Sequence, residues 1–138
     1  MENLNLSKHQ TFYAVGLSYK KADAETRGKF SLDEKAKTKV LRQAKLEGID
    51  SLIVTSTCNR TEIYGFAQHP FQLIKLMCEN SVGTVEEFQK VAFVYKNQEA
   101  ISHMFRVGTG LDSQILGDFE IISQIKSAFV ESKNRQLA

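Results

Sequence analysis

Apolar and polar positions change their period several times along the chain, and each change marks an element. Thr11-Phe12-Tyr13-Ala14-Val15-Gly16-Leu17 has the β-branched and aromatic content of a strand, and the polar Ser18-Tyr19-Lys20-Lys21 then opens a loop. Leu32, Ala36, Val40, Leu41 and Ala44 recur at helical spacing. Ser31 is the expected N-cap, Glu34 three residues on completes a capping box, and Gly48 ends the helix. Strands are predicted over 51–56 and 62–67, which places Cys58 at the tip of a hairpin or strand junction. Pro70, the only proline, fits the first turn of a helix over 71–80, and Thr84 caps a short helical turn. Val91-Ala92-Phe93-Val94-Tyr95 reads as a fourth strand.

Beyond it, Asn97 is the expected cap of a helix whose apolar face is Ala100, Ile101, Met104, Phe105 and Val107. Gly108 and Gly110 interrupt that helix near its end, 111–117 reads as a further helical turn, and 119–132 as a last amphipathic helix on Ile122, Ile125, Phe129 and Val130. The order strand, helix, strand, strand, helix, strand predicts an α+β fold of the ferredoxin-like split-βαβ type. In it a four-stranded antiparallel sheet carries helices on one face, and extra C-terminal helices cover what remains.

Composition narrows this picture rather than changing it. A chain of 138 residues suits one domain, and 42% apolar with 25% charged residues is ordinary for a globular protein. No apolar run approaches the roughly 20 residues of a membrane helix, and Met1-Glu2-Asn3-Leu4-Asn5 lacks the basic and apolar regions of a signal peptide. A cytoplasmic setting is expected, with Cys58 and Cys78 as free thiols. Ten of the eighteen Lys/Arg fall in residues 1–46, against five of the sixteen Asp/Glu. That excess attracts phosphate, although a solvated lysine-rich helix face is the commoner source of such a pattern. The end, Lys133-Asn134-Arg135-Gln136-Leu137-Ala138, carries no cap or glycine and reads as a cut inside a longer protein.

Few groups remain to carry chemistry. Two cysteines twenty apart and His9, His69 and His103 at scattered positions match no metal-ligand spacing. Gly108-Thr109-Gly110 lacks both a third glycine and a preceding strand, so no dinucleotide loop is present. Cys58 is different. It follows Ser56 and Thr57, precedes Asn59 and Arg60, and so sits in a polar turn beside a guanidinium, the setting in which a thiol gains thiolate character. Arg60, a planar fork, suits a substrate carboxylate. His103, placed by helical spacing at the margin of its helix's buried face, is the candidate acid or base, although a lone histidine of this kind is more often merely structural.

At these residues the sequence resembles a known family. Ser56-Thr57-Cys58-Asn59-Arg60-Thr61-Glu62-Ile63-Tyr64 is similar to the signature of the glutamyl-tRNA reductases. Gly16 to Ala22, with Arg27 and Phe30 downstream, resembles their G-x-N-H-K-T-A-P block. Ala100 to Gly117, continuing through Gln124-Ile125-Lys126, resembles their A-x-x-H-L-F-R-V-A-x-G-L-D-S-x-V-L-G-E block. The resemblance runs from about residue 12 to the C-terminus, and three blocks stand in order.

The resemblance implies that Cys58 attacks the ester of glutamyl-tRNA, releasing the tRNA and forming a thioester that NADPH reduces to glutamate-1-semialdehyde for tetrapyrrole (porphyrin) synthesis. His103 is then the second catalytic residue, and Thr57, Asn59, Arg60, Ser113, Asp118, Phe119, Glu120 and Gln124 contact substrate. It implies glutamyl-tRNA(Glu) as partner, a homodimeric full-length enzyme, handover to the aminomutase that follows, no metal and no membrane. The family's nucleotide-binding and dimerisation domains have no counterpart here, so residues 1–138 are expected to be a single catalytic domain that binds no NADPH and does not complete the reduction. Tyr19, Lys21 and Asp23 stand where the family commonly has histidine, threonine and proline, and Asp118-Phe119-Glu120 replaces Glu-Pro-Gln. Two other classes fit the residues taken alone. A generic cysteine hydrolase or acyltransferase would use the same thiol, and a non-enzymatic RNA-binding module would use the basic first third.

Overall fold

The computed structural model describes residues 10–108 and 114–116. Strand β1 (Thr11–Ser18) is followed by helices α1 (Ala24–Lys29) and α2 (Glu34–Leu46) and by the hairpin β2 (Leu52–Ser56) and β3 (Arg60–Ala67). Helices α3 (Pro70–Glu79) and α4 (Val85–Val91) lead to β4 (Phe93–Lys96), α5 (Asn97–Arg106) and β5 (Gln114–Leu116). The sheet order is β4-β1-β3-β2-β5 with every neighbouring pair antiparallel. The four predicted strands thus take the split-βαβ arrangement, and β5 adds a fifth at the β2 edge, where a helical turn was expected. The predicted helix over 119–132 lies outside the described residues.

Strand periodicity sorts side chains between two layers. Val15, Leu17, Leu52, Val54 and Ile63 face α2, α3 and α4, where they meet Val40, Ala44, Leu73, Leu76 and Phe88 in the larger core. The opposite face presents Phe12, Ala14, Ile53 and Tyr64 to α5, which lays Ala100, Ile101 and Met104 upon them. Three helices therefore cover one side, and among the described residues α5 covers the other.

Several boundaries move for identifiable reasons. Asp33, not Ser31, caps α2, accepting the Ala36 amide at 2.8 Å. Leu32 stays outside the helix because its amide donates to Ser56 Oγ at 3.0 Å and its side chain is buried. The turn at Thr84 grows into α4 through a capping box with Glu87 and burial of Phe88, so β4 starts at Phe93 rather than Val91. At α5 the cap is Lys96, whose side chain makes no capping bond, and Asn97 takes a left-handed φ of 53° instead of capping. Helix α1 was absent from the sequence reading because its six residues bury nothing and leave no apolar period.

Candidate active site

The turn between β2 and β3 is built to hold its backbone and free one side chain. Thr57 donates its amide to the Arg60 carbonyl at 2.8 Å, and its hydroxyl accepts the amides of Asn59 and Arg60 at 3.2 and 3.3 Å. Tyr19 donates its amide to the Asn59 carbonyl at 2.8 Å. The Arg27 guanidinium spans from the Cys58 carbonyl at 3.0 Å to the Ala22 carbonyl at 2.7 Å. These bonds fix the main chain on both sides of Cys58, whose side chain remains exposed and unbridged. The second thiol, Cys78, is half-buried, and burial, with the charge of Glu79 adding to it, pushes it up to about 11. Cys58 is thus the more accessible of the two thiols.

From the turn, β3 runs inward and carries Arg60, Glu62 and Tyr64 on the face that meets α5. Glu62 is completely buried. Its carboxylate accepts three bonds: from His103 Nε2 at 2.7 Å, from the Tyr64 hydroxyl at 2.9 Å and from Arg60 Nη1 at 3.3 Å. Burial disfavours its charge, but the bonds from His103 and Tyr64 and the charges of His103 and Arg60 outweigh burial and hold the carboxyl below the usual glutamate range. An ionised carboxylate only accepts, so His103 must donate from Nε2. In the neutral ring the lone pair then lies on Nδ1, which faces Arg106 Nη2 at 3.4 Å.

Room for this acid comes from β1. Gly16 pairs with Glu62 across the strands, and a Cβ there would land on the Thr61 carbonyl and within 2.9 Å of Glu62 Cγ. Rings of Phe93, Tyr95 and Tyr64, with centroids 4.8, 5.0 and 6.3 Å from the His103 ring, enclose the imidazole. His103 is therefore buried, at 7% exposure, and not at a margin as its helical spacing indicated. The reason is its bond to Glu62, which draws a polar ring into the layer between sheet and helix.

Above this network lies a cleft of about 270 Å³ lined by Lys20, Lys21, Arg60, Phe93, Tyr95, His103 and Arg106 among others. The structure thus brings Arg60 and His103 together on one carboxylate oxygen. Thr57, Cys58 and Asn59 form the adjoining turn and do not line the cleft. Ser113, Asp118, Phe119, Glu120 and Gln124 lie outside the described residues. Sequence reasoning missed Glu62, Tyr64 and Arg27. The signal for the first two was present, since Arg60, Glu62 and Tyr64 alternate on one face of a strand whose other face carries no charged residue. Among the described residues no group of three or more His, Cys, Asp or Glu is placed to hold a metal, and no helix is long and apolar enough to cross a membrane.

Sheet order and hairpin define the class: a split-βαβ α+β domain that displays one thiol beside a cationic cleft. The chain belongs to the glutamyl-tRNA reductase family, as the model described as "Glutamyl-tRNAGlu reductase, N-terminal domain" matches residues 15–138. It is 79% identical over its whole length to a glutamyl-tRNA reductase of Flavobacterium psychrophilum, covering 33% of that protein. It is 72% identical over 133 residues to one of Christiangramia forsetii, covering 32% of it. Among solved structures, the glutamyl-tRNA reductase from Methanopyrus kandleri superposes with a TM-score of 0.53 at 26% identity, over 89% of this chain and 28% of that one. The chain spans about a third of the length of the curated relatives it matches.

Proposed function

We propose that this chain is the acyl-accepting catalytic domain of a glutamyl-tRNA reductase and takes the glutamyl group from its tRNA ester onto Cys58. The observation that carries this reading is the exposed Cys58 on a clamped turn that runs directly into Arg60, whose guanidinium shares the Glu62 carboxylate with His103. The sulfur of Cys58 attacks the acyl carbon, and the bond from that carbon to the ribose oxygen breaks. The departing oxygen takes up a proton, leaving free tRNA and a glutamyl thioester. Arg60, at the mouth of the cleft, receives the side-chain carboxylate of the glutamyl group. His103, its tautomer fixed by Glu62, offers Nδ1 for proton exchange. Thr57 and Asn59 set the attitude of the thiol, and Ser113, Asp118, Phe119, Glu120 and Gln124 are proposed as further substrate contacts.

The family's second half-reaction needs NADPH as hydride donor. The described residues do not fit that group: the β1 strand is followed by Tyr19-Lys20-Lys21-Ala22-Asp23 rather than by a glycine-rich turn opening a helix. No reduction step is derived from this chain, and delivery of semialdehyde to tetrapyrrole synthesis belongs to the longer protein.

Exposure of the chain to glutamyl-tRNA followed by peptide mass spectrometry tests the reading. A glutamyl adduct is expected on the Cys58 peptide, lost in Cys58→Ser and retained in Cys78→Ser. An adduct on Cys78, or acylation blocked by neither substitution, refutes it. Acylation by small glutamyl esters that free acceptor stem does not compete against would instead assign a generic acyltransferase.

A further inference from the structure

The cleft holds more positive charge than one glutamyl side chain requires. Of its four Lys and Arg residues, Arg60 is balanced by Glu62 and Arg106 sits against His103. Lys20 and Lys21 take part in no ion pair among the described residues, and both are exposed on the rim. They are nevertheless not on a loose loop. The amide of Lys20 donates to Ser18 Oγ at 3.3 Å, and those of Lys21 and Ala22 to the Ser18 carbonyl at 3.2 and 3.0 Å, with the Ala22 side chain buried. The adjacent Tyr19 amide is bonded to the Asn59 carbonyl, so the lysine turn and the thiol turn are tied to each other.

We propose that Lys20 and Lys21 bind the phosphodiester of the nucleotide that carries the acyl group, the 5′ phosphate of the 3′-terminal residue of the RNA. This rests on the reading that the acyl donor is an RNA ester. With the ester carbon at Cys58 and the glutamyl carboxylate at Arg60, the donor reaches the solvent across the rim. The phosphate nearest to the reacting carbon hangs from the same ribose. Two ammonium groups on a fixed turn joined to the nucleophile's own turn give that anion a partner and set the ester in register with the sulfur.

The test compares two small donors, adenosine 3′-glutamate and its 5′-monophosphate, and reads the rate of Cys58 acylation by intact-mass spectrometry at low salt. The ratio of the two rates isolates the phosphate. For the unaltered chain the monophosphate is expected to react about tenfold faster. In Lys20→Ala/Lys21→Ala the ratio should fall to about one, in Lys20→Glu/Lys21→Glu below one, and in Lys20→Arg/Lys21→Arg it should persist. Lys35→Ala/Lys39→Ala, on a separate groove between α2 and the segment after α3, should keep the tenfold ratio. A ratio of one in the unaltered chain, or a ratio untouched by the glutamate pair, overturns the phosphate site while leaving acylation intact. If added NADPH abolishes the ratio, the lysines serve a dinucleotide phosphate and the proposal is wrong. Failure of both donors to acylate Cys58 overturns the underlying reading and this site with it.

Discussion

Replacing Glu62 by glutamine keeps the shape of the side chain and removes its charge, which isolates what the buried carboxylate contributes. The amide oxygen can take the place of Oε2 and still accept from His103 and Arg60, while the amide nitrogen faces the Tyr64 hydroxyl, which turns to accept. All three bonds survive in number. They lose their ionic character, worth roughly 1 kcal/mol per bond between charged and neutral partners. Arg60 also loses its counter-charge, but its side chain is 20% exposed, so water screens part of that loss. Three bonds give about 3 kcal/mol, but glutamine also relieves the burial that disfavours the charge, so the expected cost near neutral pH is about 2 kcal/mol, short of the ~3–5 kcal/mol that follows deletion of a partner from a fully buried pair.

The sign with pH follows from the depressed carboxyl. A glutamate with a folded-state pKa below its ordinary 4.5 stabilises the fold above that value. The contribution fades as acid protonates the folded form. Urea unfolding followed by far-UV circular dichroism should show Glu62→Gln about 2 kcal/mol weaker at pH 7, with the gap closing below about pH 4.5. A gap that is constant from pH 7 to pH 3.5, or a glutamine variant more stable at pH 7, would refute the argument.

Gly16→Ala should cost about 1–3 kcal/mol in thermal or urea unfolding, because the new methyl meets a backbone carbonyl of β3 that cannot retreat without breaking the β1–β3 ladder. Iodoacetamide at pH 8 should label Cys58 well before Cys78, since a thiol pushed up to about 11 is ionised in roughly one molecule per thousand; equal rates at the two peptides would contradict the burial. Asn97→Val should destabilise by about 1–2 kcal/mol and Asn97→Gly should be tolerated, read as melting temperatures, because the backbone there is left-handed. Phe30→Ala, which empties a fully buried ring packed edge-on against Phe88 at 5.5 Å, should cost about 3–5 kcal/mol.

What could be read from the residues divides by range. Strands β1, β2 and β3 and helices α2 and α3 announce themselves through local periods and caps, and their order was enough to give the antiparallel split-βαβ sheet. The elements that were misplaced depend on distant partners. Leu32 leaves its helix for a bond to Ser56, twenty-four residues away, and β5 exists only because β2 offers an edge. The candidate site divides the same way. Cys58 and Arg60 are two residues apart and were evident from a five-residue turn. The Glu62–His103 bond joins residues forty-one apart, so helical spacing alone put the imidazole on the wrong side of the buried boundary.

That long-range bond links fold to chemistry. An ionised acid in the middle of a sheet is costly unless both its oxygens meet donors, and here the donors come from β3 itself, through Arg60 and Tyr64, and from α5, through His103. Glycine at position 16 makes the space, and α5 closes over it with an apolar stripe of Ala100, Ile101 and Met104. Packing of that stripe sets the height of the helix above the sheet, and the carboxylate then sets the tautomer of the histidine and one end of the arginine. The two groups proposed to handle the substrate are thus positioned by the same contacts that seal the second core. Loosening of α5 should therefore appear as lost acylation before it appears as lost fold, because the larger core on the opposite face shares none of these residues.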